Sequence, residues 1–262
     1  MAIIKDYRGE WDVASVKVNF SNGDQRIYSC CKPLIVPNNY KYDPYPKKGD
    51  IITMDGKDYR VLKVDKDIAE VFCMYDANSA ISFNSHGSNV YADKELDTYC
   101  NSTFYNSLSS AIKSAIIDKT FTQDSWNFSN ESVPATEHYT GIKDENIHPH
   151  YYLTLVNTQY ETSITRHCYA LSVQDVLDYL GTTTSMDANN TTLNATNISQ
   201  MFWNQSIPTG TIWLRSADAS SNEDALYVVK STLSISSHGT GVHTYPRPAF
   251  QIDLDKINWS IV

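Results

Sequence analysis

The sequence has few charges and no concentration of positive ones. Only 19% of its 262 residues are Asp, Glu, Lys or Arg, the formal net charge is -9, and no run of lysine or arginine occurs. A chain this acidic, without a basic stripe, lacks the footprint that nucleic acid or an anionic membrane surface requires. No apolar run reaches membrane-spanning length, so no membrane insertion is expected. Cys30, Cys31, Cys73, Cys100 and Cys168 form no Cys-x-x-Cys pair and no metal spacing. Their odd number leaves no complete disulfide framework, and reduced thiols are expected. The opening "MAIIKDYRGEWDV" has too short an apolar stretch for a secretory signal, which predicts synthesis in a cytoplasm without conventional export. Gly-x-Ser-x-Gly is missing, and Gly239-x-Gly241 does not continue into a phosphate-binding glycine loop.

What the chain has instead is Asn, Ser, Thr and Tyr. Its 18 tyrosines and many neutral hydrogen-bonding side chains make a surface suited to recognition, since tyrosine gives a large rigid contact at small entropic cost. AT-rich codon usage would produce the same bias, and it is at least as good an explanation. At 41% hydrophobic residues the chain is globular and long enough for a sizeable core.

Val16, Val18 and Phe20 alternate up to Ser21-Asn-Gly-Asp24, and Arg26 to Cys30 follows, which predicts an N-terminal β-hairpin. Residues 32–48 hold four prolines and read as an extended connector, with a domain boundary placed at residue 46. Gly49 to Asp65 predicts a second hairpin turning at Asp55-Gly56, and Ala69 to Met74 adds a strand. Between Asp93 and Asp118, apolar residues at three- and four-residue steps predict a helical region, broken near Asn101-Ser102. "LSVQDVLDYLG" predicts a helix capped by Ser172 with Asp175 three residues on and closed by Gly181. Residues 182–197 are expected to form a polar loop. Tyr151 to Asn157, Thr211 to Leu214, Ala225 to Ile235 and Ala249 to Leu254 are the remaining predicted strands. Pro246 and Pro248 flank Arg247 and hold the entry to the last strand extended.

Each pattern that suggests chemistry has a plainer reading beside it. His148-Pro-His150 could chelate, but no cysteine or carboxylate cluster accompanies it, and surface histidines are the better reading. Ser110-x-x-Lys113 lies on an amphipathic helix, where that spacing is common by accident. Cys168 next to His167 reads as a core cysteine beside an exposed histidine. Asp218, Glu223 and Asp224 read as a solvated loop. No catalytic residue, cofactor or metal is therefore expected, and the chain reads as no enzyme.

Four landmarks stand in order: the Gly49-Asp50…Tyr59-Arg-Val-Leu62 hairpin, the 171–181 helix, Trp213-Leu-Arg-Ser216 and Arg247-Pro-Ala-Phe250. Together, over residues 47–254, they resemble an uncharacterised, C-type-lectin-like domain family of Firmicutes and their bacteriophages. The resemblance implies an α+β fold, a twisted antiparallel sheet with two helices and long loops, preceded here by the N-terminal hairpin. It also implies structural roles for Trp213, Arg215 and Arg247 beneath those loops. The Glu-Pro-Asn, Gln-Pro-Asp and Trp-Asn-Asp triplets of calcium-dependent sugar sites do not occur, so calcium-dependent sugar binding is not expected.

These readings converge on a non-enzymatic recognition module of a phage particle: a tail, fibre or head-surface protein located in the virion. Residues 1–46 are expected to dock to other virion proteins. Residues 47–262 are expected to form the display domain, whose repeated copies in a homo-oligomer engage a host cell-surface ligand, a glycan among the candidates. The expected contact residues are Tyr91, Asn189, Asn190, Asn194, His238, His243 and Tyr245. A bacterial surface-associated binding domain and, less favoured, a small hydrolase are the alternatives.

Overall fold

A computed structural model describes residues 15–19, 25–29, 46–75, 79–134, 147–180, 185–187, 201–202, 211–229 and 234–262. The chain divides into two compact units, Met1–Pro46 and Lys47–Val262. In the first, β1 (Ser15–Asn19) and β2 (Gln25–Ser29) pair antiparallel, Asn19 opposite Gln25.

The second unit begins with a meander of β3 (Ile51–Met54), β4 (Lys57–Asp65) and β5 (Ile68–Cys73). Ile52 and Met54 are buried while Ile51 and Thr53 are half-buried, the period-two pattern of a strand with one face inward. The turn between β3 and β4 places Asp55 at φ 47° and Gly56 at φ 72°. Two successive positive φ values match the twist of the flanking strands, which is why Asp-Gly occupies this turn.

After β6 (Ile81–Ser82) comes the helical region: α1 (Glu95–Thr98), a π-helical stretch over Tyr99–Phe104, α2 (Tyr105–Ser107) and α3 (Ser110–Ala115). The break falls at Leu108 and Ser109, not near Asn101-Ser102. Leu108 is extended, and the Ser109 hydroxyl accepts the Ile112 N–H at 3.2 Å to cap the next helix. At Asn101 and Ser102 the helix widens instead of stopping.

The chain continues through β7 (Ile116–Ile117), β8 (Lys119–Phe121), β9 (Ser125–Pro134), β10 (Ile147–Asn157) and β11 (Ile164–Arg166). Helix α4 (Val173–Leu180) follows. Its start is a reciprocal cap: the Asp175 N–H donates to Ser172 Oγ at 3.1 Å and the Ser172 N–H donates to Asp175 Oδ2 at 2.9 Å. Val173, Val176 and Leu177 form its buried face, while Gly181 lies outside the described residues. Ser172→Ala is expected to lower unfolding stability by about 1 kcal/mol, read as a shift of the urea midpoint at unchanged slope.

The closing strands are β12 (Ser185–Asp187), β13 (Thr211–Asp218), β14 (Asp224–Val229), β15 (Ser234–Gly239), β16 (His243–Thr244), β17 (Ala249–Asp253) and β18 (Ser260–Ile261). The single strand expected from Ala225 to Ile235 is a hairpin, with Val229 opposite Ser234 and Val228 opposite Ile235. Folding back lets Val228 and Ile235 bury side by side.

Two six-stranded sheets result, ordered β18-β3-β4-β5-β17-β7 and β12-β10-β9-β13-β14-β15. All of their pairings are antiparallel except β13 with β9. The described residues thus form an α+β fold of mostly antiparallel sheet with short helices. One apolar cluster joins Leu62 and Phe72 of the first sheet, Leu96 and Cys100 of the helical region, Val176 and Leu177 of α4, and Trp126, Trp213 and Leu226 of the second sheet. Ile212 to Asp218 are all buried, so β13 is covered on both faces, and its one arginine is held in the interior.

Candidate functional site

Arg215 is 4% exposed. Its Nη1 donates to the Ala170 carbonyl at 2.7 Å and to Asp175 Oδ2 at 2.6 Å, and the guanidinium lies 4.4 Å from the Phe121 ring centre. One side chain thereby ties β13 to the start of α4 and to β8. Burial alone would raise the Asp175 carboxyl, but Arg215 and then Lys119, 3.4 Å away, outweigh it and hold Asp175 well below the usual carboxylate range. Lys119 Nζ also meets Glu70 at 2.6 Å, and Glu70 accepts the Tyr169 hydroxyl at 2.6 Å. Next to it on β13, Ser216 Oγ donates to Asp124 and accepts the Val173 N–H, while Trp126 Nε1 donates to Asp124 at 2.8 Å. Burial pushes the Asp124 carboxyl up, against the pull of Arg215.

Trp213 packs edge-on against Phe83 and Tyr227, each at 5.7 Å, and its Nε1 donates to the Ile81 carbonyl at 3.2 Å. Arg247 is 1% exposed and donates to the Phe202 carbonyl. These three residues lie inside the frame.

Above that frame an open cleft of about 600 Å³ is lined by Ile81, Ser82, His86, Asp93, Lys94, Glu95, Thr98, Tyr99, Thr103 and His243. Three local features meet there. Asp93 takes a left-handed backbone, φ 60°, unusual for a residue other than glycine. Arg166 holds it, with Nη2 on Asp93 Oδ1 at 2.7 Å and the same guanidinium on both oxygens of buried Asp97. The π-helical stretch supplies Tyr99 and Thr103, and such widened turns recur at functional sites. The β16–β6 pairing, His243 opposite Ser82, brings the loop before the last strand to the cleft wall. Glu95 Oε1 accepts the Ser85 N–H at 3.1 Å and the Ser85 hydroxyl, with His86 Nδ1 3.7 Å away. Burial is the largest single influence and raises the Glu95 carboxyl, but the hydrogen bonds from Ser85 and the nearby His86 together set it below its ordinary value.

Of the expected contact residues, His243 lines the cleft. His238 is exposed on β15 beside the Tyr227 ring, and Tyr245 is half-buried. Tyr91 requires correction: it is 0% exposed, packed near Phe83 and Phe121, and its hydroxyl accepts the Ala170 N–H at 3.0 Å, so it belongs to the core. Asn189, Asn190 and Asn194 lie outside the described residues. Asp218 is no solvated loop residue either. It is 4% exposed and accepts from the Ser237 and Ser220 hydroxyls, which fixes the end of β13. Lys113 Nζ sits over the Tyr105 ring at 5.9 Å, giving the Ser110-x-x-Lys113 pattern a packing role. Cys168 is buried beside half-exposed His167. Burial pushes the Cys73 thiol up to about 12 and raises Cys100 and Cys168 as well, so these thiols stay protonated.

Sequence reasoning passed over His86, Asp93 and Glu95. His86 stands in the polar stretch of residues 76–89, which reads as a loop, and the other two open a helical pattern. The signal that could have found the last two is the acidic pair flanking Lys94 at the start of α1, but only Arg166, 73 positions from Asp93, brings out its geometry.

Among the described residues, no group of three or more His, Cys, Asp or Glu is placed to hold a metal, and no helix is long and apolar enough to cross a membrane. Comparison with curated proteins and with solved structures gave no match. The model of one family, described as Domain of unknown function (DUF6273), matches residues 61–254, from β4 to the end of the last long strand. Trp213, Arg215, Arg247 and the cleft residues all fall within that span, and the chain belongs to the DUF6273 family.

Proposed function

We propose that this chain is a non-enzymatic display module of a bacteriophage particle, C-type-lectin-like in its loop-bearing architecture. Residues 1–46 dock to neighbouring virion proteins, and the larger unit presents its cleft and loops to the host cell surface. The observation that carries this reading is a division of roles. Arg215, Arg247 and Trp213 are buried and committed to backbone carbonyls, whereas His243 and His86 stand exposed at an open cleft. Binding residues belong on loops held by such a rigid frame.

The hydrolase alternative gains little from Ser85, His86 and Glu95. In a catalytic triad the carboxylate holds one imidazole nitrogen while the other takes the serine proton; here the same His86 Nδ1 faces both Ser85 Oγ at 3.3 Å and Glu95 Oε1 at 3.7 Å, and the serine hydroxyl donates to the carboxylate directly.

Mass spectrometry of purified virions against cell-envelope fractions tests the assignment: the chain is expected in the virions, and its confinement to envelope fractions would favour a bacterial surface protein. His243→Ala/Tyr245→Ala is expected to weaken host-cell attachment about tenfold or more through lost repeated contacts, with thermal unfolding nearly unchanged. Unchanged attachment would remove this face from the account.

A further inference from the structure

The cleft constrains the chemistry of what enters it. Lys94, and Arg166 behind the wall, nearly balance Asp93, Asp97 and Glu95, so the site offers no strong field to an ion of either sign. Each carboxylate at the rim is anchored through one oxygen and leaves the other open. Asp93 Oδ1 is held by Arg166, and Glu95 Oε1 by Ser85. Open carboxylate oxygens fixed in this way accept hydroxyl hydrogens without having to be ordered first. Beside them, Ile81 and Tyr99 give the cleft an apolar wall, and His243, on the strand paired with that of Ile81, adds an exposed ring. A cleft of about 600 Å³ falls in the range that takes small ligands.

We infer that this cleft takes the uncharged, hydroxyl-rich end of a saccharide, with Asp93 and Glu95 accepting its hydroxyls and Ile81 and Tyr99 covering its apolar face. The inference rests on the display reading and names the ligand class of that same site.

The test is saturation-transfer NMR on the full chain with a panel of neutral mono- and disaccharides, and with glucuronic acid and glucosamine as charged counterparts. At least one neutral sugar is expected to receive saturation, unaffected by added salt. Asp93→Asn and Glu95→Gln are each expected to weaken it about tenfold, the loss of one charge-assisted hydrogen bond. Asparagine tolerates the left-handed backbone and glutamine keeps the Ser85 contact, so both variants should unfold at the parent temperature. If no neutral sugar receives saturation, the inference fails; so does it if a charged counterpart is preferred and loses its signal in salt. Competition of the binding sugar with host-cell attachment would identify a surface glycan as the source. Should the His243→Ala/Tyr245→Ala variant lose attachment while no sugar binds, display survives and the ligand class falls. A sugar that binds a chain absent from virions would leave the ligand class standing and overturn the display reading.

Discussion

Arg215→Met is expected to lower unfolding stability by about 3–5 kcal/mol, the range for removing one partner of a buried ion pair. The loss would be felt at two places, because the Ala170 carbonyl loses its donor and Asp175 loses its nearest cation. Asp175 keeps Lys119 and the Ser172 N–H, which draws the expected value toward the lower end. Arg215 Nε is buried without a partner, so the pair is not fully compensated even in the parent chain. Arg215→Met/Asp175→Asn is therefore expected to recover part of the loss, since an apolar or neutral pair avoids stranding a charge.

The acid limb of the stability curve carries the same information. The folded-state value of Asp175 lies below its unfolded one, so its contribution is fully present above about pH 4 and fades as pH falls through the unfolded value toward the folded one. Arg215→Met removes the main cause of that depression, and the variant should show a shallower acid dependence in urea unfolding across pH 2 to 5. Asp124 has the opposite sign: its carboxyl is raised, so protonating it does not destabilise the fold.

Trp213→Ala is expected to cost about 3–5 kcal/mol, the range for truncating a large buried aromatic. Phe83 and Tyr227 would lose the ring they pack against, and the Ile81 carbonyl its N–H donor. The damage should spread to the cleft, because Ile81 and Ser82 form its wall and pair with β16. Amide hydrogen exchange at residues 81–83 is expected to accelerate more than exchange in β3 and β4. Trp213→Phe separates packing from hydrogen bonding. It keeps most of the apolar contact and strands one carbonyl, for an expected loss of about 1–3 kcal/mol. Equal losses for Ala and Phe would mean that the indole N–H, not the ring, secures β6.

The elements read well from sequence are those whose signals are local. Asp55-Gly56 between two β-rich runs left few options, and Ser172 with Asp175 marked the start of α4 by the same atoms that cap it. The β9–β10 hairpin was only half legible. Tyr151 to Asn157 has β-prone residues, but the partner "SWNFSNESVP" alternates polar with apolar only as far as Ser129 and then runs polar through Ser132. The split of Ala225–Ile235 into two strands depends on Val228 meeting Ile235, a contact that a run of β-formers cannot announce. Arg215 and Arg247 were placed as supports, and both are buried on carbonyls. Tyr91 was misplaced because a tyrosine in a polar stretch gives no sign of which way its ring turns; here it turns inward onto the Ala170 N–H. The cleft was illegible because Asp93 and Glu95 gain their meaning from Arg166 and Ser85, and only folding brings those together.

The separation of supporting from contacting residues is tested most directly by Arg215→Lys, with urea unfolding and host-cell attachment measured on one preparation. Lysine keeps a charge for Asp175 but loses the planar guanidinium that lies 4.4 Å from the Phe121 ring centre. The predicted result is a lower urea midpoint with attachment per folded molecule unchanged. Attachment abolished at an unchanged midpoint would make Arg215 a contact residue and contradict the account.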